Sequence, residues 1–151
     1  MFLHKSSRIV SDWCKQHDIG VVIIGKNDGW KQEINIGKVN NQHFVNIPHA
    51  TLIEMITYKL EEEGIHVQLT EESYTSKCDH LAYEPMRHQE KYLGKRSKRG
   101  LFVSSTGRLI NADVNGAIGI ARKVMGDAVI RQLLHRGFAQ NPVRVNPLIK
   151  P

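Results

Sequence analysis

The chain has 151 residues, 40% hydrophobic and 24% charged, which is ordinary for a globular chain with room for one core. Its 21 Lys and Arg against 15 Asp and Glu leave a formal charge of +6, which favours anionic partners. Membrane and disulfide-scaffold classes are argued against: no apolar run approaches the ~18 residues of a membrane span, no signal-peptide pattern opens the chain, and Cys14 and Cys78 form no disulfide framework. A reduced, cytoplasmic setting is the expectation.

Ile9, Val10, Trp13 and Cys14 recur at helical spacing, so residues 4–17 read as an amphipathic helix closed by Gly20. Val21-Val22-Ile23-Ile24-Gly25 is a short apolar run that suits a buried parallel strand. The polar stretch from Asn27 to Asn46 reads as a long loop. Pro48 starts a helix where a missing N–H costs nothing, with Leu52, Met55, Ile56 and Leu60 as its apolar face and Gly64 as its end. Ile65-His66-Val67-Gln68-Leu69 alternates as a second strand. The order helix, strand, helix, strand marks an α/β layer with parallel strands.

Residues 73–110 break that rhythm and read as an inserted loop or small subdomain, with a hairpin over Leu101–Ile110 turning at Thr106-Gly107. Asn111 to Val124 is the next helix, with Ala117, Ile118, Ala121 and Val124 or Met125 expected inward and Gly126 as its stop. A short helix over Ala128–Leu134 follows. Residues 1–136 thus form the domain and 137–151, with three prolines among polar residues, a flexible tail. Two strands do not make a stable α/β sheet, since three or more are normally needed to bury a face. Either strands hide in the loops, or the chain is part of a larger domain.

Charge is unevenly placed. Arg87, Lys91, Lys95, Arg96, Lys98, Arg99 and Arg108 share their span with one acid, Glu90. Just beyond stands Asn111-Ala112-Asp113-Val114-Asn115-Gly116-Ala117. An isolated carboxylate opening a helix beyond a cationic loop suits a divalent metal acting on a phosphodiester. The plainer alternative is that Asp113 is an N-cap, and caps far outnumber metal ligands.

Several phrases occur in an order that resembles one family: Gly64-Ile65-His66-Val67, Glu71-Glu72-Ser73-Tyr74-Thr75-Ser76-Lys77-Cys78, Lys98-Arg99-Gly100-Leu101-Phe102, and the phrase containing Asp113. Together with Trp30-Lys31-Gln32 and the stretch from Asn40 to Pro48, they resemble the C-terminal part of OrfB/TnpB proteins. These are transposon-encoded "transposases" related to type V CRISPR effectors. The resemblance implies an RNase H-like (RuvC-like) α/β layer with an inserted zinc ribbon, acting in transposition as an RNA-guided DNA endonuclease. It implies Mg2+ held on three carboxylates, with DNA and a guide RNA as partners and no membrane. Asp113 is carried over as the last of those acids.

The chain departs from the family pattern in three places. The G-I-D phrase of the first acid and the strands around it are missing, so the expectation is a truncated, incomplete layer that does not cut DNA alone. The strand matching Val21–Ile24 normally closes with Glu-Asp, but here Gly25-Lys26-Asn27-Asp28 follows. Members of this branch use a glutamate just before the Thr-Ser of the ribbon, which makes Glu72 the match for the second acid, with Glu71 on the opposite face and Asp28 as a third candidate. The ribbon keeps one cysteine, Cys78. Asp79, His80 and His88 are poor substitutes for the missing thiolates, and a metal-free ribbon remnant is expected. Lys95, Arg96, Lys98, Arg99 and Arg108 are expected to contact phosphates, and Tyr92 and Phe102 to stack on bases or pack locally. The alternative function is a non-enzymatic basic nucleic-acid-binding module.

Overall fold

The computed structural model describes residues 2–27, 48–137, 145 and 147. The expected loop beyond Asn27, with Asp28 and Trp30, and most of the expected tail lie outside the described residues. Among the described residues, the chain forms two compact units, one from residues 2–24, 48–69, 145 and 147, the other from 25–27 and 70–137. No described helix is long and apolar enough to cross a membrane.

The first unit pairs helix α1 (Phe2–Gln16) with helix α2 (His49–Glu62) and holds the first four residues of each of strands β1 (Val21–Lys26) and β2 (His66–Glu71), which are hydrogen-bonded neighbours. α1 buries Ser7, Ser11 and Cys14, a narrow small-residue face. Trp13, expected inward, is 53% exposed and stacks on His17 at 4.1 Å between ring centroids, because a ring of that size does not fit a serine-lined face. Pro48 is the N-cap of α2 and not its first residue: its carbonyl accepts from Leu52 N at 3.0 Å. Gly64, at φ +76°, closes α2 by letting Gly64 N and Ile65 N turn back onto Glu61 O and Leu60 O, both at 2.9 Å. Cys14, Leu60 and Ile65 form the core, flanked by Val10, Ile19, Val22, Ile56 and Val67.

Lys59 is buried in this unit. Its ammonium donates to His4 O at 3.0 Å and to Ser7 Oγ at 2.6 Å. Burial pushes its pKa down, and the nearby Arg8 charge adds to that.

The second unit holds a three-stranded antiparallel sheet in the order β3 (Lys95–Lys98), β4 (Leu101–Val103), β5 (Leu109–Asn111), followed by helices α3 (Ala112–Met125) and α4 (Asp127–His135). Phe102 pairs with Arg96 on one side and Ile110 on the other. The hairpin expected over Leu101–Ile110 is there, but β3 was not legible as a strand. All four of its residues are exposed, so it has no apolar alternation to betray it. Phe102, Ile110 and Ala112 form the core with Leu81, Val114 and Ile118. The architecture is therefore mixed α/β with few strands.

α3 corrects the sequence reading of its inner face. Ala117 and Met125 are exposed, and the buried residues are Ala112, Asn115, Gly119 and Arg122. The buried stripe is half polar, because the neighbouring segment offers carbonyls, a histidine and a carboxylate in place of an apolar wall.

Candidate functional site

Asn111, and not Asp113, caps α3. Its Oδ1 accepts from Asp113 N at 2.9 Å and Val114 N at 3.2 Å, so the two first-turn donors are satisfied without the aspartate. Asp113 stands in the first helical turn with its side chain exposed, where the helix dipole favours a negative charge.

The two glutamates at the end of β2 have different fates. Glu71 accepts from Ser73 Oγ at 2.7 Å, from Ser73 N, and from Lys123 Nζ at 3.0 Å. Hydrogen bonds from Ser73 and then Lys123 hold its carboxyl below the usual glutamate range. Lys123 also donates to Glu71 O and Ser73 O, so Glu71 is committed to a surface clasp.

Glu72 is half-buried and turns elsewhere. A methyl group on Gly25 would lie 3.0 Å from Glu72 Oε2 and 2.5 Å from Ile120 Cδ1. Glycine at position 25 thus leaves open, at the end of β1, the space that the Glu72 carboxylate and Ile120 adjoin. Ile120 follows Asp113 by seven residues, nearly two full turns, so both lie on one face of α3, about 10 Å apart along the helix axis. Asp113 and Ile120 therefore share a helix face, and the Glu72 carboxylate adjoins that face near Ile120, not near Asp113. Among the described residues, no cluster of three or more His, Cys, Asp or Glu side chains could hold a metal ion.

The insertion is organised by a carboxylate. Asp79 is fully buried and accepts from Ser105 N at 2.6 Å, Ser105 Oγ at 2.8 Å, Ser104 Oγ at 2.8 and 3.0 Å, and Ala82 N at 3.3 Å. Burial alone would raise its pKa, but the bonds from Ser105, Ser104 and Ala82 prevail and hold it below its ordinary value. Glu84 works alongside, accepting from Asp79 N at 2.7 Å and Leu93 N at 3.0 Å.

His80 is also fully buried. Arg122 donates to its Nδ1 at 2.8 Å, so Nδ1 is the acceptor and the ring is neutral, with its proton on Nε2 facing Thr75 O at 2.6 Å. Burial, then the Arg122 charge, depresses its pKa despite the Thr75 bond. Arg122 also donates to Glu84 O at 2.9 Å and grips both carboxylate oxygens of Asp127 at 2.8 and 3.1 Å. Asn115 donates to Cys78 O at 2.9 Å and accepts from His80 N at 3.3 Å. The helix that carries Asp113 is thereby fixed to the Cys78–His80 segment.

These donors do not fit a zinc ribbon. Cys78 is buried, its Sγ–H faces Pro85 O at 3.6 Å, and burial, with the Glu84 charge, pushes its thiol pKa up, away from the thiolate that zinc needs. Asp79 and both nitrogens of His80 are already engaged. Glu72 and Asp113 are hard oxygen donors, and that chemistry fits magnesium.

The basic residues lie along the β3–β4 hairpin. Lys95, Arg96 and Lys98 are exposed on β3, Arg99 at the turn, and Arg108 before β5. Phe102 is only 2% exposed and is core, so base stacking by Phe102 is ruled out. Tyr92 is half-buried. Asn115 and Arg122 escaped the sequence reading, although Asn115 stood in the same phrase as Asp113. A polar residue at the inward spacing of a helix was the available signal.

The family described as "Cas12f1-like, TNB domain" matches residues 49–120, a span that includes Glu72, the Asp79 network, the basic hairpin and Asp113. Over that span the chain is similar to proteins of the TnpB/Cas12 nuclease family. The TnpB-like protein ORF457 of Acidianus two-tailed virus is 28% identical over 149 residues, covering 97% of this chain and 30% of that protein. A chain from a cryo-EM structure of a Cas12f1–sgRNA–target DNA complex shares the fold, with a TM-score of 0.53 and 19% identity over 78% of this chain and 32% of that one. The chain thus spans about a third of the length of these TnpB/Cas12 relatives.

Proposed function

We propose that this chain carries the nucleic-acid-binding and acid-bearing region of an RNase H-like, transposon-associated nuclease of the TnpB/Cas12 type. The observation that carries the proposal is the Glu72 carboxylate. It lies against Gly25 at the end of β1, where the resemblance seats the second acid, and beside the α3 face that presents Asp113. Glu72 and Asp113 would hold magnesium. Bound there, the ion would neutralise phosphate charge and lower the pKa of a water. The chain's own residues do the rest. Lys95, Arg96, Lys98, Arg99 and Arg108 hold the phosphate backbone without reading bases. Asn111 caps α3 so that the Asp113 carboxylate stays free, and Asn115 fixes that helix in place. DNA, with a guide RNA, is the proposed partner, in keeping with the sgRNA and target DNA of the Cas12f1 complex.

A second reading, a binding module that does not cut, is favoured by the exposed basic run of β3, which can hold phosphates without a metal. Fluorescence anisotropy and a cleavage assay on the same short DNAs separate the two. Lys95→Ala with Arg96→Ala should weaken binding and reduce the slope of log K against log salt by about 1.8 for duplex DNA. Binding that ignores both salt and these substitutions would overturn the nucleic-acid reading altogether. Magnesium-dependent cleavage once the N-terminal part of a TnpB relative is added in trans, abolished by Asp113→Asn and by Glu72→Gln, supports the nuclease, and binding without cleavage in that mixture supports the module.

A further inference from the structure

Thr75 N and Thr75 Oγ1 both donate to Glu72 O, at 3.3 and 2.7 Å, closing a four-residue turn over Glu72–Thr75. Tyr74 is its third residue and has φ +62°, while Ser73 keeps negative φ. That is the type II pattern, and its third position belongs to glycine or asparagine. For an aromatic residue, left-handed backbone is a genuine outlier.

A second tyrosine in the same unit shows what normally compensates such strain. Tyr83 has φ +55°, and its ring lies against two guanidiniums, Arg131 at 4.7 Å and Arg122 at 5.6 Å. Tyr74 has no comparable contact among the described residues, and its side chain is 43% exposed. Among the described residues, no ring contact or side-chain hydrogen bond of Tyr74 offsets the strain. The ring stands two residues from Glu72, and Lys77, also exposed, lies in the same run of turns. Among the described residues, the other tyrosine and phenylalanine rings of this unit are half-buried or buried: Tyr83, Tyr92 and Phe102.

We propose that Tyr74 is a stacking platform for an unpaired base, held beside Glu72 with Lys77 meeting the adjoining phosphate. Stacking on an exposed ring tolerates any base and applies only where the strand is single. A strained aromatic standing unused in the free protein is the kind of outlier that points to a ligand contact. The inference rests on the nucleic-acid reading above.

The test uses the full chain, a fluorescein-labelled oligo-dT and a duplex of equal length, with anisotropy and thermal melts run together. Tyr74→Gly should bind oligo-dT about tenfold more weakly and the duplex unchanged. Its melting midpoint should stay level or rise, since glycine suits the turn. Tyr74→Phe should bind oligo-dT within about twofold of the parent, because the ring face and not the hydroxyl stacks. Parent-like binding of oligo-dT by Tyr74→Gly, or an equal loss on duplex, overturns the stacking role. If binding depends on Lys95 and Arg96 but not on Tyr74, only this inference falls. If the parent binds neither DNA, the underlying reading falls with it.

Discussion

Replacing Asp79 with alanine isolates what holds the insertion together. The substitution strips the acceptor from Ser105 N and Ala82 N, at 2.6 and 3.3 Å, and from the hydroxyls of Ser104 and Ser105. The hydroxyls can adapt: Ser104 Oγ keeps Thr106 Oγ1 at 2.9 Å, and Ser105 is exposed to water. The loss then falls on the two backbone donors, at about 1.5–3 kcal/mol for a bond to a charged acceptor, with the long Ala82 bond at the low end. Relief from burying a carboxylate offsets part of it, leaving about 3 kcal/mol. For a chain of 151 residues that corresponds to roughly 6–12 °C in melting temperature. Urea denaturation should show the midpoint falling at constant m. Asp79→Asn, which keeps the shape and one acceptor, should lose about half as much. A double-mutant cycle with Ser104→Ala should return a coupling of about 1 kcal/mol. A chelator should leave the parent's melt unchanged. A loss below about 0.5 kcal/mol for Asp79→Ala, or a chelator that lowers the parent's midpoint, would refute the carboxylate as organiser of this segment.

Three further outcomes follow from the same packing. His80 is neutral in the fold with its pKa depressed below 6.5, so the unfolded chain takes up the proton first. Stability should therefore fall as pH drops below about 6.5, with a second loss below 3.8 as Asp79 and Asp127, both depressed, protonate in the unfolded chain. Melts from pH 8 to pH 3 check this, and a flat profile between pH 7.5 and 5 contradicts it. Lys59→Met should raise stability by about 1 kcal/mol by urea melt, because it removes a buried charge. Ser7 Oγ stays satisfied by His4 O at 3.1 Å, and a destabilised variant would mean that the ammonium is a needed tie. Gly25→Ala places a methyl against Ile120 and Glu72 and should cost about 1 kcal/mol, recovered when Ile120→Ala makes room. No recovery in the double variant would show that the close approach is not the cause.

The elements that bury an apolar face were legible in the sequence, and those built on polar ties were not. α1, β1, α2, β2 and α3 announce themselves through apolar spacing, and each lies within a few residues of its expected bounds. β3 has no such pattern because Lys95-Arg96-Ser97-Lys98 is exposed throughout. The inner face of α3 misled for a related reason. Apolar periodicity selects Ala117, Ile118, Ala121 and Val124 or Met125, of which Ile118 does pack on the core and Ala117 and Met125 are exposed. The helix is tied down by Asn115 and Arg122, whose partners include carbonyls and a histidine more than thirty residues away. At the candidate site, Glu72 and Asp113 came from matched phrases, and their distinction from Glu71 from the alternation of a strand. Gly25 as the residue that admits the Glu72 carboxylate required coordinates, since a glycine in a strand says only that something comes close. Tyr74 is likewise ordinary as a letter and unusual only in its backbone.

The central claim is that Glu72 and Asp113 serve one divalent cation site. Manganese added to the isotopically labelled chain tests it through paramagnetic broadening of amide resonances. The account predicts that signals around Gly25, Glu72 and Asp113 fade together at substoichiometric metal, that magnesium reverses the effect, and that Asp113→Asn removes the broadening at Glu72 as well. Broadening confined to one of the two carboxylates, or centred on Glu71 or the glutamates closing α2, would contradict it.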